Sequence, residues 1–367
     1  MNIVFLGPPG GAVADVKVGL ASRQLAHALR QRGHMVLLLE QAGPSARRLE
    51  LEAETPCAPY LGVADLDARF RSHVRGADLV LVDSDVPGVA EVGRWATETA
   101  RGLTAFWDHD TPRTLQRQAH RGDAARLTLE HLTGYRIHLC SSGGPVPRRL
   151  EREWGVPRAR VLLPGVQAEH FAPRAQGVRW DLGHLGLLSA ERRSLLKPLL
   201  LDAAFDWPEG RFLLAGTMSV VDADAAWPDN VKRHAATPSR EHPACYGAQR
   251  FTLAVSRAEH TPGRNLFEAA ACGATLVCDP WEGLEDLFSL GEEVVVARTA
   301  KDVLRYLREM PEADRLQLGQ RARARVLAEH TVAHRALALE QYACEAVRGG
   351  SSGAPTRVPE VLERRPN

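Results

Sequence analysis

Apolar runs of strand length alternate with stretches of helical periodicity along most of the chain, and that alternation predicts its elements. Residues 3–6 form an apolar strand. The loop Gly7-Pro8-Pro9-Gly10-Gly11 follows, and apolar positions then recur at helical spacing over 20–31, stopping at Gly33. Further strands are expected at 36–39, 77–83, 103–107, 137–140 and 161–163, with helices at 88–99 and 146–154 between them. Strand, helix and strand in repetition imply a parallel sheet with right-handed crossovers. One doubly wound unit closes near residue 172. A second opens at 181–186, runs through a helix at 190–201 and strands at 211–215 and 251–255, and takes 231–234 as an edge of its sheet. It ends on a helix near Arg264, strands at 274–278 and 293–296, and helices at 300–310 and 313–329. The class is α/β, with tandem domains at 1–172 and 179–334. Residues 350–367 lack periodic apolar positions and read as a disordered tail.

Composition narrows the chemistry. A chain of 367 residues exceeds what one hydrophobic core usually supports, in agreement with two domains. Lys and Arg total 46 against 45 Asp and Glu, a net charge of +1, so there is no global drive toward nucleic acid or an anionic membrane. Any recognition of phosphate has to be local. The six cysteines form no CxxC pair and read as reduced core residues. The N-terminus reads as a first strand, not a signal peptide, and no segment approaches the ~20 apolar residues of a membrane span, which makes the cytoplasm the default location. Oligomeric state is not legible.

The densest chemistry lies in Gly263-Arg264-Asn265-Leu266-Phe267-Glu268-Ala269-Ala270-Ala271-Cys272-Gly273. Gly263 permits close approach of the backbone, and a helix starting near Arg264 points unpaired N–H groups and a positive dipole end at an anion. Arg264 adds a charged fork for phosphate. Glu268, one turn into the helix, is placed to accept both hydroxyls of a ribose, and Gly263, Arg264, Asn265, Leu266 and Glu268 together form the expected nucleotide-binding set. In the first domain, Asp108-His109-Asp110 stands at the carboxyl end of a predicted strand, where such sheets bind ligands, and His109 or Asp110 can act as acid, base or acceptor ligand. The Gly7–Gly11 loop, which matches neither GxGxxG nor GxxxxGK[ST], is read as an acceptor-side loop. Asp83-Ser84-Asp85, Asp108-His109-Asp110 and Asp222-Ala223-Asp224 each spell DxD, a frequency close to chance in this chain, and no metal is expected. His184, His234, His242 and His260 show no metal-ligand spacing.

Tandem doubly wound domains with a Glu-bearing helix late in the second resemble the GT-B glycosyltransferases, built of two Rossmann-like domains with an interdomain cleft. Phe267-Glu268-Ala269-Ala270-Ala271-Cys272-Gly273, Gly283-Leu284-Glu285-Asp286-Leu287-Phe288, Gly291-Glu292-Glu293 and Glu329-His330-Thr331 resemble the C-terminal, glycosyltransferase group 1 domain of the CgeB-like proteins. Trp107-Asp108-His109-Asp110-Thr111-Pro112 and Ser142-Gly143-Gly144-Pro145 resemble their N-terminal half. The resemblance implies transfer of a sugar from a nucleotide diphosphate donor to an unidentified acceptor, without a cofactor. The N-terminal domain would take the acceptor and the C-terminal one the donor, with a helix at 335–349 crossing back onto the first domain. It also implies that Glu268 holds the donor ribose, that His260 stands where relatives have a sugar-facing Glu, and that Gly186 and Arg192 follow the first strand of the second domain to hold the pyrophosphate. Retention of configuration is what the nearest relatives suggest; an inverting enzyme would need a base, for which Asp110, His109 or Asp15 can serve. The rival readings are a nucleotide-sugar epimerase and a degenerate transferase acting as a nucleotide-binding or assembly protein.

Overall fold

The structure is a computed structural model, and it describes residues 1–9, 19–42, 56–119, 129–186, 190–216, 227–235 and 238–349. Gly10, Gly11, Asp15, the string Asp222-Ala223-Asp224 and the tail expected at 350–367 lie outside those residues. The chain divides into two compact units, Met1–Leu163 with the segment from Val332 onward, and Pro164–Thr331.

Unit 1 is built on seven parallel strands in the order β3-β2-β1-β4-β5-β6-β7. They are β1 (Asn2–Gly7), β2 (Met35–Gln41), β3 (Cys57–Tyr60), β4 (Leu79–Asp83), β5 (Leu103–Asp108), β6 (Ile137–Cys140) and β7 (Ala159–Val161). Ile3 to Leu6 and Leu79 to Val82 are buried throughout, because the central strands of a parallel sheet are covered on both faces. The covering helices are α1 (Leu20–Gln31), α2 (Val63–Gly76), α3 (Val89–Thr99), α4 (Thr111–Ala119), α5 (Leu129–Thr133) and α6 (Val146–Trp154). The expected strand at 161–163 lies two residues earlier, at Ala159–Val161, where it pairs with His138, Leu139 and Cys140 of β6.

Unit 2 carries six parallel strands in the order β10-β9-β8-β11-β12-β13. These are β8 (Trp180–Leu185), β9 (Phe212–Ala215), β10 (Val231–His234), β11 (Gln249–Ala254), β12 (Leu276–Cys278) and β13 (Val295–Val296). The helix expected at 190–201 is α7 (Ala190–Leu196) continued by a π turn, Lys197–Leu201, into α8 (Asp202–Asp206). Around the sheet stand α9 (His242–Gly247), α10 (Arg264–Ala271), α11 (Ala300–Glu309) and α12 (Glu312–Glu329). The edge strand β10 exposes Lys232, Arg233 and His234, charge and polarity that discourage pairing with another chain.

The division of the chain falls at 163/164 and 331/332, not at 172/179 and 334/335. Residues 164–171 belong to unit 2 because Val166 bridges Thr331, its N–H donates to the carbonyl of His330, and Phe171 is buried. The last helix, α13 (Val332–Gly349), belongs to unit 1. Its Val332, Ala336, Leu339 and Ala346 share one core with Phe5, Leu25 and Leu29, and the Tyr342 hydroxyl donates to the carbonyl of Val161.

Candidate functional site

In both sheets the strand order reverses beside the first strand, and such a switch point opens a crevice at the carboxyl ends of the flanking strands. In unit 2 those strands are β8 and β11. Helix α10 begins there. The Asn265 side-chain amide donates to the carbonyl of Leu185, the last residue of β8, at 3.1 Å, and so ties the start of the helix across the reversal. Gly263 is the N-cap, in an extended conformation with φ −72°. Its glycine is needed for space, not for a left-handed turn: a Cβ would stand 2.5 Å from Asn265 Oδ1 and 3.1 Å from the carbonyl oxygen of Val255. Leu266 and Phe267 are buried in the unit, with Phe267 packed against the rings of Phe288 and His330, so the sequence marks around 288 and 330 fix the seat of α10.

Glu268 is only 2% exposed. Its Oε1 lies 3.1 Å from Arg264 Nε, one helical turn back, and its Oε2 lies 3.3 Å from Nδ1 of the buried His242. Arg264 thus pairs with Glu268 while keeping a fifth of its side chain exposed.

Gly186 and Arg192 come together beyond β8. The N–H of Gly186 donates to the carbonyl of Ala215, and Arg192 Nη1 lies 3.9 Å from the place where a Cβ on Gly186 would stand. Residues 187–189, expected to lead into Arg192, lie outside the described residues. The ends of β8 and β9 touch: Gly216 has φ +151°, and a Cβ there would sit 1.7 Å from the carbonyl oxygen of Gly186. Only glycine fits both the angle and the space. His184, invisible as a site residue in sequence, lies under this edge. It is fully buried, hydrogen-bonds through Nδ1 to the carbonyl of Leu253 at 2.9 Å, and burial lowers its pKa to about 4, so the imidazole is neutral. Asp279, at the end of β12, accepts hydrogen bonds from the N–H and hydroxyl of Ser256, and burial raises its pKa.

His260 sits in the loop between β11 and α10. It is the one non-glycine residue with positive φ among the described residues, at 55°. A turn closed by the N–H of Thr261 on the carbonyl of Ala258 places it there, and its own N–H donates to the carbonyl of Glu282. The imidazole is nearly buried, Nδ1 has no hydrogen-bond partner, and Nε2 is 3.6 Å from Glu282 Oε1. A left-handed non-glycine residue with an unsatisfied ring nitrogen is the kind of strain that persists where a site requires it. Glu282 was not legible as a neighbour, because it comes from the loop after β12.

Unit 1 has a separate cluster at the ends of β4 and β5. His109 Nε2 is 2.9 Å from Asp83 Oδ2, the same oxygen that accepts from the Ser22 hydroxyl, and the His109 N–H donates to Ser84 Oγ. Asp83, Asp85 and His109 offer atoms within 4.8 Å of one another, a grouping able to hold a metal ion. Asp110 lies beside this cluster with its N–H on Asp108 Oδ1, and it remains part-exposed. Burial pulls the pKa of His109 down, but Asp83, Asp85 and Asp108 together outweigh it and raise the value above 6.5. The imidazolium therefore persists to higher pH than usual, and the stability it lends is complete below 6.5 and is lost as pH rises through its folded value. Asp83→Asn is expected to lower the pH at which His109 titrates, because a raising charge and hydrogen bond are lost, read from the ring nitrogens by NMR. An unmoved titration would remove Asp83 as its partner.

Residues 192–341 match the sequence model of a family described as glycosyl transferase-like. No curated protein matches the chain by sequence. Among solved structures, sucrose-phosphate synthase from Thermosynechococcus elongatus superposes with a TM-score of 0.68 at 18% identity, covering 95% of this chain and 99% of that one. The Anabaena protein HepE, in complex with UDP and glucose, gives 0.68 at 17% identity over 94% and 100% of the two chains. An alpha-glucosyltransferase in complex with UDP gives 0.69 at 11% identity over 93% and 99%. No described helix is long and apolar enough to cross a membrane. Two parallel sheets of Rossmann-like build, a glycosyl transferase-like sequence over 192–341 and these full-length likenesses establish that the chain has the GT-B glycosyltransferase fold.

Proposed function

We propose that the protein is a glycosyltransferase that moves a sugar, of hexose type, from a nucleoside diphosphate to an acceptor, with retention of configuration and without a metal. The observation that carries this reading is the start of α10 at the switch point of unit 2, where Gly263, Arg264, Asn265 and the buried Glu268 converge. Helix N–H groups, Arg264 and, beyond β8, Arg192 offer fixed positive charge to the diphosphate as negative charge builds on it. Neighbours of the same fold hold UDP, or UDP with glucose, in their structures, which supports a nucleotide sugar as the donor.

In the reaction, the bond between the anomeric carbon and the diphosphate oxygen breaks and the acceptor oxygen bonds to that carbon. The acceptor proton passes to the leaving phosphate, so no carboxylate nucleophile is required. His260 faces the sugar, and His109 and Asp110 of unit 1 serve the acceptor. Within the glycosyltransferases, the marks at 267–273, 283–288, 291–293 and 329–331 support a place among the CgeB-like proteins.

Titration calorimetry with UDP, GDP and dTDP tests the reading. One of the three is expected to bind with micromolar affinity, and its sugar conjugate to release that nucleoside diphosphate when an acceptor is supplied. Absence of binding by all three would overturn the assignment. An epimerase would convert the sugar with no acceptor present and release no diphosphate.

A further inference from the structure

A buried carboxylate on a helix is held by what faces it, and Glu268 faces groups from two helices. Arg264 approaches Oε1 from the same helix at 3.1 Å. His242, the first residue of α9, approaches Oε2 at 3.3 Å and is itself 8% exposed. Tyr246, one turn further along α9 and 1% exposed, stands edge-on to the His242 ring at 6.2 Å and 83°, closing that side. A carboxylate only accepts hydrogen bonds, so Nδ1 of His242 is the nitrogen that carries hydrogen toward it.

The two contacts have different consequences. Arg and a carboxylate one turn apart tend to close into a bidentate pair that satisfies both and leaves neither for a ligand. A donor on the opposite oxygen competes with that closure. A carboxylate offers about four lone-pair positions over its two oxygens, so a ribose hydroxyl that reaches it joins or replaces the donors already there.

We propose that His242 is a positioning residue for Glu268: it holds the carboxylate away from full closure on Arg264, so that Glu268 can accept the ribose hydroxyls while Arg264 stays turned to the diphosphate. This rests on the nucleotide reading of the α10 site. His242 touches no ligand in this scheme and acts through Glu268 alone.

The nucleoside diphosphate that binds best among UDP, GDP and dTDP is titrated into the wild type, His242→Phe, His242→Asn, His242→Gln, Glu268→Ala and the double variant His242→Phe/Glu268→Ala. His242→Phe is expected to weaken binding about tenfold. Asn, whose amide nitrogen falls near the place of Nδ1, restores affinity to within about threefold, whereas Gln, whose nitrogen reaches the place of Nε2, does not. In the Glu268→Ala background, the His242 change has no further effect, since the group it positions is gone. Asn and Gln of equal affinity, wild-type affinity in His242→Phe, or an undiminished tenfold loss in the Glu268→Ala background would each overturn the proposal. The Asn and Gln pair decides it even if the Phe variant does not fold. The reading beneath it fails separately, and takes the proposal with it, if Glu268→Ala binds like the wild type.

Discussion

Glu268→Ala is expected to lower affinity for the preferred nucleoside diphosphate by about 100-fold or more while leaving the fold intact. Two charged hydrogen bonds to a ribose are worth about 3 kcal/mol together, which is that factor in affinity. The loss has a second part. Without its partner, Arg264 is no longer held in place, and a flexible guanidinium has more freedom to lose on meeting phosphate. Stability is expected to fall less than affinity, because Ala fits helix α10 and Arg264, partly exposed, regains water, so the main structural cost is the acceptor that buried His242 loses, about 1 to 3 kcal/mol. Calorimetry with a matched thermal melt separates the two effects. An affinity within threefold of the wild type would remove Glu268 from the site, and an equal collapse of affinity and melting temperature would make it a structural residue.

The second large effect lies in unit 1. Glu340 of α13 accepts from Nε and Nη2 of Arg32, at 2.7 and 2.6 Å, and also pairs with buried His34, whose Nδ1 lies 3.1 Å from the amino terminus of Met1. Burial works against the charge on Glu340, but hydrogen bonds from His34 and Arg32 outweigh it and hold its pKa down at about 2, against 4.5 for a free glutamate. The sign follows from that depression. The stabilisation is complete above pH 4.5 and is lost as pH falls from there toward 2. With the side chain 12% exposed, a shift of this size corresponds to about 3 kcal/mol. Glu340→Ala is therefore expected to lower the melting temperature at pH 7 by roughly 6 to 12 °C for a unit of this size, and to flatten the decline in stability between pH 4.5 and 2. Melts across that range check it, and a variant with the wild-type pH profile would show that the clamp contributes nothing.

Much of the scaffold was legible because its elements carry strong periodicity between clear stops. The bounds of α1 and α6 fall where apolar spacing, glycine and proline put them, and β10 takes the residues expected for a sheet edge, 231–234. Other elements were not recovered. Strand β3 is a short Cys-Ala-Pro-Tyr segment at the sheet edge whose first three residues are at least part-exposed, so it shows no apolar run. Helix α2 does have apolar residues at 63, 66, 70 and 74, a helical spacing that sequence reading can use. The segment before β8 was assigned to the wrong unit because its partners, His330 and Thr331, lie more than 150 residues away.

The sequence alone determined the chemistry of the α10 turn: a glycine, an arginine and a glutamate at fixed spacing on one helix, where geometry depends only on local rise and rotation. It also determined the alternation that makes two doubly wound units. Tertiary structure decided what surrounds those residues. It set His242 against the far oxygen of Glu268, Glu282 beside a left-handed His260, and Asp83 and Asp85 beside His109. It also joined α13 to the first unit through Glu340. Each of these pairs comes from elements distant in the chain. Their meeting depends on strand order and helix packing, and no local spacing encodes that.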